Sequence, residues 1–399
     1  MSASSLTLAL VVGPALAQNP PEPPPEGQSP QEPQQPQPQP APEQAPEPDK
    51  APDKAPDKAP DKAVVEQVKP LYALVNEAMK GGEAGASAWN VDPSGNKPPS
   101  AATTSAHATL RTDFLRASDN QVYVPFQVTL DSQVLPSPSV AVYVRAAEKG
   151  HTPPNLPADA GQAQAQQSEQ DPEKKTADAG NTKFPFEDFY VGAAKPLGPS
   201  EPAVLGGYAL LPAGSYDLYI AVRERGSDTK KPFQAIVVKE LLDVPNYFGG
   251  EITTSSVLLV KKIEQLPADP TPEQQHENPY TFERNQLVLA SDGVFAKADE
   301  FNLLLFVYNF GKDQAQRPNV TVEYQLFAKE GEAEKEFRKI EPQTYDASTV
   351  TEVVDPLPVT LQFAVKELKE GDFRLVVKVT DNTSGKSLTR DAPFKVAAS

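Results

Sequence analysis

The side chains that most often carry out chemistry are scarce in this chain and do not cluster along it. Cysteine is absent, so thiol nucleophiles, thiolate zinc sites and iron–sulfur clusters are excluded. Each of the three histidines, His107, His151 and His276, stands in a loop or linker with no histidine or acid three or four residues later. Metal-binding helices place their ligands at that spacing. We therefore predict that all three histidines are solvated loop residues.

Hydrolase and phosphate-binding motifs are also missing. No Gly-x-Ser-x-Gly sequence is present to form a serine nucleophile elbow. Gly385-Lys-Ser387 is similar to the end of a phosphate-binding loop, but Thr380 stands where that motif requires its first glycine, and no helix is predicted to follow. Gly385 and the preceding Asp381-Asn382 are typical of a hairpin turn. We therefore predict no catalytic site and expect that the protein is not an enzyme.

Carboxylates are abundant, yet they do not follow a calcium-binding pattern. Asp-x-Asp spacing is absent and no EF-hand loop matches. Loops between strands can still gather carboxylates that are distant in sequence, and Asp292, Asp299 and Asp381 would be the contributors. We expect no metal and no bound cofactor, with such a loop calcium site as the alternative.

The charge balance limits the partners of this chain. The formal net charge is −17 and the isoelectric point is near 4.7. Nucleic acids and anionic membrane surfaces attract basic faces, which a chain of this charge does not favour. We therefore expect no nucleic-acid partner.

The N-terminal residues 1–17 are typical of a cleaved signal peptide. An apolar run from Leu6 ends in Ala15-Leu-Ala17, a small-x-small cleavage sequence, although no Lys or Arg precedes it. About a dozen apolar residues are too few to span a bilayer, and no second long apolar run follows, so we expect no membrane insertion. The sequence thus predicts a periplasmic or secreted protein whose cysteine-free domains are held by packed cores.

Two segments before the strands differ sharply in composition. Residues 18–62 alternate proline with Glu, Gln, Asp and Lys and end in three Ala-Pro-Asp-Lys units, which predicts a disordered, extended spacer. Residues 63–105 begin with apolar residues at steps of three and four, which predicts a short helix around Pro70, followed by a Gly/Ala/Ser/Pro-rich linker.

Short alternating runs with polar turns fill the remainder and predict an all-β fold without alternating helices. We assign residues 106–245 to a first β-sandwich with a disordered insertion at about 150–182, and residues 250–397 to a second. Pro125 falls inside an otherwise regular strand, which indicates an edge or a bulge. The predicted fold is therefore two tandem immunoglobulin-like or fibronectin-like antiparallel sandwiches.

An internal repeat supports that assignment. Leu211–Val222 returns in degenerate form as Leu368–Val379, with aligned glycines and with Tyr216 aligned to Phe373. Glycine would let the chain turn with positive φ into the penultimate strand of each sandwich. A tyrosine hydroxyl at this position can bond to a backbone group upstream, so we predict a tyrosine corner in the first copy alone.

These segments carry a resemblance. Val122-Tyr-Val-Pro-Phe126, Leu211–Val222, Phe373–Val379 and the turn Asp381–Ser387 resemble the immunoglobulin-like modules of uncharacterised exported bacterial proteins, some of which carry GWxTD-type or von Willebrand A-like domains. The Gly-Trp-x-Thr-Asp and Asp-x-Ser-x-Ser signatures are absent, so the resemblance implies fold and export and transfers no site residue.

Two functional classes remain after these exclusions. The first is a non-catalytic structural or protein-interaction module of the bacterial cell envelope, with an envelope or extracellular protein partner bound along exposed strand edges. The second is a carbohydrate- or peptide-binding module that uses sandwich loops. It would need a concave patch of exposed aromatic side chains, for which the candidates are Phe184, Phe186, Phe189, Tyr190 and Tyr208. We favour the first class, because such aromatics more often fill a core.

Overall fold

The computed structural model describes residues 62–81, 84–91, 100–103, 108–130, 138–151, 184–196, 203–226, 231–331 and 333–397. The predicted signal peptide, all but the last residue of the predicted spacer, and nearly all of the predicted insertion lie outside these residues. The elements of the first half are α1 (Lys62–Ala78), β1 (Gly85–Val91), β2 (Ser100–Thr103), β3 (Ala108–Thr112), β4 (Leu115–Arg116), β5 (Val122–Leu130), β6 (Ser139–Glu148), β7 (Phe186–Ala193), β8 (Lys195–Pro196), β9 (Ala203–Leu211), β10 (Gly214–Glu224) and β11 (Phe233–Val244).

The second half contains one short α-helix, one 3-10 helix and the remaining strands. They are β12 (Thr253–Thr254), β13 (Leu258–Gln265), α2 (Pro272–Glu277), β14 (Thr281–Phe282), β15 (Asn285–Leu289), β16 (Val294–Phe295), β17 (Glu300–Tyr308), β18 (Val320–Glu330), β19 (Ala333–Tyr345), β20 (Leu357–Ala364), the 3-10 helix Val365–Glu367, β21 (Gly371–Asp381) and β22 (Ser387–Val396). Within the described ranges, neither α-helix has the length and apolar character needed to cross a membrane.

Four sheets form two sandwiches. Sheet A has the order β2-β1-β11-β10-β6-β7 and faces sheet B, which has the order β3-β5-β9-β8 with β4 also paired to β5. Sheet C has the order β12-β17-β13-β15-β14 with β20 on the other side of β17, and it faces sheet D, β16-β22-β21-β18-β19. Each sandwich thus packs two mainly antiparallel sheets face to face, as immunoglobulin-like domains do. The predicted all-β fold with two tandem sandwiches is confirmed.

The two sandwiches are stacked through sheets B and C. Alternate residues of β17 serve two different cores: Leu304 and Phe306 belong to the cluster that fills the first sandwich, whereas Leu303 and Leu305 belong to that of the second. Because both faces of β17 are buried, its sequence is apolar throughout instead of alternating. The described residues accordingly fall in one compact unit.

Hydrogen bonds fix the contact between sheets B and C. Tyr123 of β5 donates to the carbonyl of Pro279 at 2.7 Å, and Tyr280 donates to the carboxylate of Asp113 at 2.7 Å. Arg111 pairs with the same carboxylate, with its Nε 2.9 Å from Oδ2. Burial raises the pKa of Tyr280 well above its ordinary value, and the charge on Asp113 adds to this effect. The phenol therefore stays protonated and donates permanently across the contact.

The repeat occupies equivalent places in the two sandwiches. Strand β10 lies between β11 and β6 in sheet A, and β21 lies between β22 and β18 in sheet D. Gly371 begins its strand with φ of 132°, as predicted from the glycine. The hydroxyl of Tyr216 donates to the carbonyl of Pro212 at 3.1 Å, while Phe373 instead stacks on Phe394 with ring centroids 5.4 Å apart. The predicted tyrosine corner is confirmed in the first copy.

Pro125 lies where the pairing of β5 is interrupted. Strand β3 ends opposite Phe126 and β4 resumes opposite Tyr123 in the same register, so that Pro125 lies opposite Asp113 in the gap between the two strands. Its carbonyl still accepts from the backbone N–H of Asp113 at 3.1 Å. The missing N–H of proline leaves this pair one ladder hydrogen bond short. The predicted edge or bulge was wrong, because β5 lies between β3 and β9 and its register is unbroken at Pro125.

Three segments differ from the sequence-based assignment. Residues 63–105 were assigned to a helix and a linker, but β1 and β2 lie within them and extend sheet A, so the first sandwich begins before residue 106. Residues 250–397 were assigned to a sandwich of strands, but they also contain α2, which starts with a capping box at Thr271. Strand β19 was not predicted, because its highly charged sequence lacks an apolar alternation.

Candidate functional site

The sequence predicted that all three histidines are solvated loop residues. Of these, the structure describes His151 and His276, and neither is fully solvated. His107 lies outside the described residues. His276 on α2 pairs through Nε2 with Asp188 on β7 at 2.8 Å and lies against the rings of Tyr190 and Tyr208. His151 packs edge-on against Phe184, and its Nε2 is buried without a hydrogen-bond partner. The prediction that these rings are solvated was wrong for both, because contacts distant in sequence partly bury them.

The three carboxylates considered for calcium each accept backbone hydrogen bonds nearby. Asp292 accepts from Val294 N at 3.0 Å and Asp299 from Ala296 N at 2.8 Å. Asp381 accepts from Gly311 N at 3.1 Å. Over the described ranges, no group of three or more His, Asp or Glu side chains is arranged to hold a metal ion.

The turn at Gly385 is a hairpin connection between β21 and β22, as predicted. The backbone N–H of Gly385 donates to the carbonyl of Asp381 at 2.8 Å, and Asp381 N donates to Lys386 O at 2.9 Å. Gly385 has φ of 73°, which favours glycine.

The candidate aromatic side chains lie around strand β7 but do not form one concave patch. Phe189 and the neighbouring Phe184 pack into the layer between α1 and sheet A. Phe186 and Tyr190, on the opposite face of β7, pack against the cluster that fills the first sandwich. Tyr208 of β9 packs against the same cluster, with its ring against those of Tyr123 and His276. The aromatic residues therefore anchor a strand from both faces instead of lining a sugar-binding surface.

Strand β7 is the last strand of sheet A and has one described neighbour, β6. The backbone N–H of Ala194, just after β7, donates toward the β6 side, to Pro138 O at 2.7 Å. Because backbone groups alternate along a strand, the N–H and C=O groups of Glu187, Val191 and Ala193 point away from β6. Phe189 has the same parity, and its N–H donates to the carboxylate of Asp188 at 2.8 Å. We call this row the β7 edge.

On the face of β7 that is turned toward α1, the strand is held by a buried arginine of β6. Arg145 is 0% exposed, and its Nη2 lies 2.9 Å from the Glu187 carboxylate. Its guanidinium stacks over Phe184 at 4.0 Å, Tyr72 at 4.7 Å and Tyr143 at 5.2 Å, and Tyr143 also hydrogen-bonds to Glu187. Burial alone would lower the pKa of Arg145, but the Tyr143 hydroxyl and the Glu187 carboxylate raise it. The cation is therefore retained at all ordinary pH values.

On the core face, β7 is held by contacts with β9 and α2. The Tyr190 hydroxyl donates to Gly206 O at 2.7 Å, and Asp188 pairs with His276. Burial, with the nearby Asp188 charge, raises the pKa of the Tyr190 phenol. A Cβ on Gly207 would lie 2.2 Å from the Phe126 ring and 2.5 Å from the Tyr190 hydroxyl, and one on Gly206 would lie 2.6 Å from the carbonyl of Glu277. Two adjacent glycines thus permit this close approach.

Sequence reasoning did not identify the β7 edge, although one signal was available. Gly206-Gly207 interrupts an otherwise apolar strand, and glycine inside a strand marks a close approach by another group. The partners of that approach, α2 and Tyr190, could not be read from local sequence.

Two other long edge strands, β19 and β20, lie in the second sandwich and carry features that disfavour pairing. Proline occupies β20 at Pro358, and the backbone carbonyl of Thr360 accepts from Gln343 Nε2 at 3.1 Å. Gln343 is in turn bonded by the hydroxyls of Tyr324 at 2.6 Å and Tyr345 at 2.9 Å. This network closes the side of the sandwich between β19 and β20, and proline and blocking side chains are known devices of edge protection.

Comparisons with known proteins do not assign a family. No family model and no curated protein matches the chain. Among solved structures, the chain is similar to one titled "Crystal structure of trypsin activated alpha-2-macroglobulin from Escherichia coli", with 8% sequence identity and a TM-score of 0.21. The alignment covers 80% of this chain and 19% of that one, and a likeness at this level carries no argument about fold details or function.

Proposed function

We propose that this chain is a non-catalytic, exported protein-interaction module of the bacterial cell envelope, and that it holds a protein partner by adding a strand of that partner to the β7 edge. The observation that carries the proposal is the geometry of β7. The strand has one described neighbour, β6. Its two acidic residues are held from opposite faces, Glu187 by Arg145 and Asp188 by His276.

Strand addition uses backbone hydrogen bonds for affinity and side-chain pockets for specificity. A fixed edge loses little conformational freedom when it pairs, which favours binding. The half-buried side chains along β7, among them Phe186, Phe189 and Tyr190, would be covered by the incoming strand. The partner segment would therefore present apolar residues on both of its faces.

Charge and composition support the class of partner and the compartment. A net charge of −17 steers basic proteins and repels a second copy of the same chain. The signal-like residues 1–17 and the absence of cysteine support a periplasmic or secreted location. The stacked sandwiches supply a stiff support on which the edge is presented.

The carbohydrate-binding alternative has less support. Three of its predicted aromatic residues are divided between the two faces of β7, while Phe184 precedes that strand and Tyr208 lies on β9. They pack against two different hydrophobic clusters. No described arrangement of these residues gathers them into one sugar-binding platform.

The test replaces one outward N–H of β7. Val191→Pro removes that donor without removing a hydrogen bond to β6, whereas Val191→Ala shortens the side chain and keeps the N–H. The immobilised full chain and both variants are incubated with solubilised envelope proteins of the producing bacterium. We expect a discrete protein that the wild type and Val191→Ala retain equally and that Val191→Pro retains about ten-fold less, with unchanged melting temperature.

Two results would contradict the proposal. Equal retention by Val191→Pro and wild type would exclude strand addition at this edge. Retention of a specific polysaccharide without a protein would favour the carbohydrate-binding alternative.

A further inference from the structure

One buried residue joins α1 to the β7 edge. Arg145 hydrogen-bonds to Asn76 of α1, approaches the sulfur of Met79 at 3.3 Å and stacks on Tyr72 of the same helix. The same guanidinium pairs with Glu187 on β7. The helix therefore forms one wall of the pocket that buries the Arg145 guanidinium, while the Glu187 side chain remains 27% exposed.

We expect α1 to be ordered only while it is docked. It has Pro70 in its middle, which removes a backbone hydrogen bond and leaves two halves of about two turns each. Isolated helices shorter than about 12–15 residues are marginal in water. The stabilising contribution comes from apolar side chains that pack on the outer face of sheet A, namely Val68, Leu71, Leu74, Val75, Ala78 and Met79.

Undocking of α1 would change the environment of β7. Arg145 would lose Asn76, Met79 and Tyr72 and become hydrated, and an ion pair in water is worth far less than a desolvated one. Glu187 would then be free to leave the guanidinium. The core-face anchor of Asp188 and His276 would remain, so β7 would stay attached to β6 while its edge became less ordered.

We propose that α1 is a conformational switch for the β7 edge: docking of α1 orders the edge through Arg145, and undocking of α1 releases it. By thermodynamic linkage, a strand bound at β7 would in turn strengthen α1 docking. That consequence rests on the function proposed for the edge, but the coupling itself does not.

Hydrogen exchange of the full chain, followed by mass spectrometry, tests the coupling without any partner. Val68→Ala weakens α1 one turn away from Tyr72 and leaves Arg145 intact. We expect about ten-fold faster exchange in both α1 and β7, with no change in β21 of the second sandwich. Arg145→Met, which keeps the volume and removes the charge, is expected to accelerate the same two elements.

The matched control acts on the other face of β7. His276→Gln loosens the core-face anchor and leaves the Arg145 contacts in place, so it is expected to accelerate exchange in β7 much more than in α1. Faster exchange of α1 alone in Val68→Ala would overturn the proposal, because the helix would then be independent of the edge. Equal acceleration of α1 in His276→Gln would also overturn it, since the loosening would be general and not transmitted through Arg145. Failure of Val191→Pro to lose a partner would leave these exchange results unaffected, so the two proposals are tested separately.

Discussion

Strands β7 and β19 hold the same position in the two copies of the sandwich, yet their edges differ. Each is the outermost strand beside the neighbour of the repeated strand, next to β6 and β18 respectively. Strand β7 carries two acidic residues, Glu187 and Asp188, which pair with Arg145 and His276. Strand β19 is mostly exposed, and its charged side chains are Glu334, Lys335, Glu336, Arg338, Lys339 and Glu341.

The difference follows the rules by which proteins prevent strand edges from pairing. Strand β19 combines charges, Pro342 and irregular register with β18, each of which disfavours the addition of another strand. Strand β7 has no proline and pairs with β6 in continuous register. Two strands in equivalent places thus differ: β19 is protected against pairing, and β7 lacks these protections.

The largest expected effect comes from removing the internal anchor of β7. Arg145→Ala leaves Glu187 and Tyr143 without their buried partner and opens a cavity, so we expect the free energy of unfolding to fall by about 3 kcal/mol. The matched change on β19 is Arg338→Ala, whose pair with Glu367 is exposed on both sides. For Arg338→Ala we expect the free energy of unfolding to fall by less than about 0.5 kcal/mol. Denaturant unfolding followed by fluorescence measures both, and similar losses in the two variants would contradict the comparison.

The core-face anchor gives the next largest effect. Gly207→Ala places a Cβ 2.2 Å from Phe126, so the ring and Tyr190 must move, and we expect a loss of about 2 kcal/mol. Gly249→Ala is the control, because its nearest neighbour would lie at 3.8 Å. Thermal unfolding should show a lowered midpoint for the first variant alone, and an unchanged midpoint for Gly207→Ala would mean that the strands separate at no cost.

A smaller effect on stability, with a large effect on pairing, is expected when the protection of β19 is copied onto β7. Val191→Lys adds a charge at the edge, and we expect a change in stability within about 0.5 kcal/mol. The partner retained by the wild type should be lost. Retention of that partner at wild-type level, measured in the same binding experiment, would place the interaction elsewhere.

The smallest expected effect is a loss of stability at acid pH. Asp355 pairs with Arg116 of the first sandwich and with Lys312 of the second at 3.0 Å. Burial would raise the pKa of this carboxyl, but its hydrogen bonds to Lys312 and Arg116 hold the pKa below its ordinary value. The stabilisation is thus complete above the unfolded pKa of about 3.9 and is lost as pH falls through the lower folded value.

Denaturation midpoints of wild type and Asp355→Asn should therefore differ near about pH 6 and converge toward about pH 2. On β19, the pKa of Glu334 is likewise lowered by Arg374, but this pair is exposed. Glu334→Gln is the control, and we expect about 1 M salt to remove any difference that it causes. A constant difference for Asp355→Asn across the pH range would show that its charge does not hold the two sandwiches together.

Much of the fold could be predicted from local pattern. The alternation of Val122–Leu130, the apolar run Phe301–Phe310 and the aligned pair Tyr216 and Phe373 each specify a strand or a corner through contacts close in sequence. Strands β1 and β2 were missed, because Ala, Gly and Ser carry little strand preference and their pairing with β11 is decided by tertiary contacts.

The candidate edge required information that no local pattern holds. Asp188 and His276 are 88 residues apart in sequence, and Arg145 and Asn76 are 69 residues apart. Their pairing depends on how three layers pack. One signal was present but not used: runs such as Leu303-Leu304-Leu305 are apolar at every position, which indicates a strand covered on both faces and therefore a stack of more than two sheets.

The contact between sheets B and C has a consequence for any attempt to divide the chain. A tandem domain can be excised and reused when it closes its own surface. Here the second sandwich presents Leu304, Phe306 and Phe282 to the first, so excision would leave an apolar surface in water. The two sandwiches thus behave as a single body and not as two exchangeable modules.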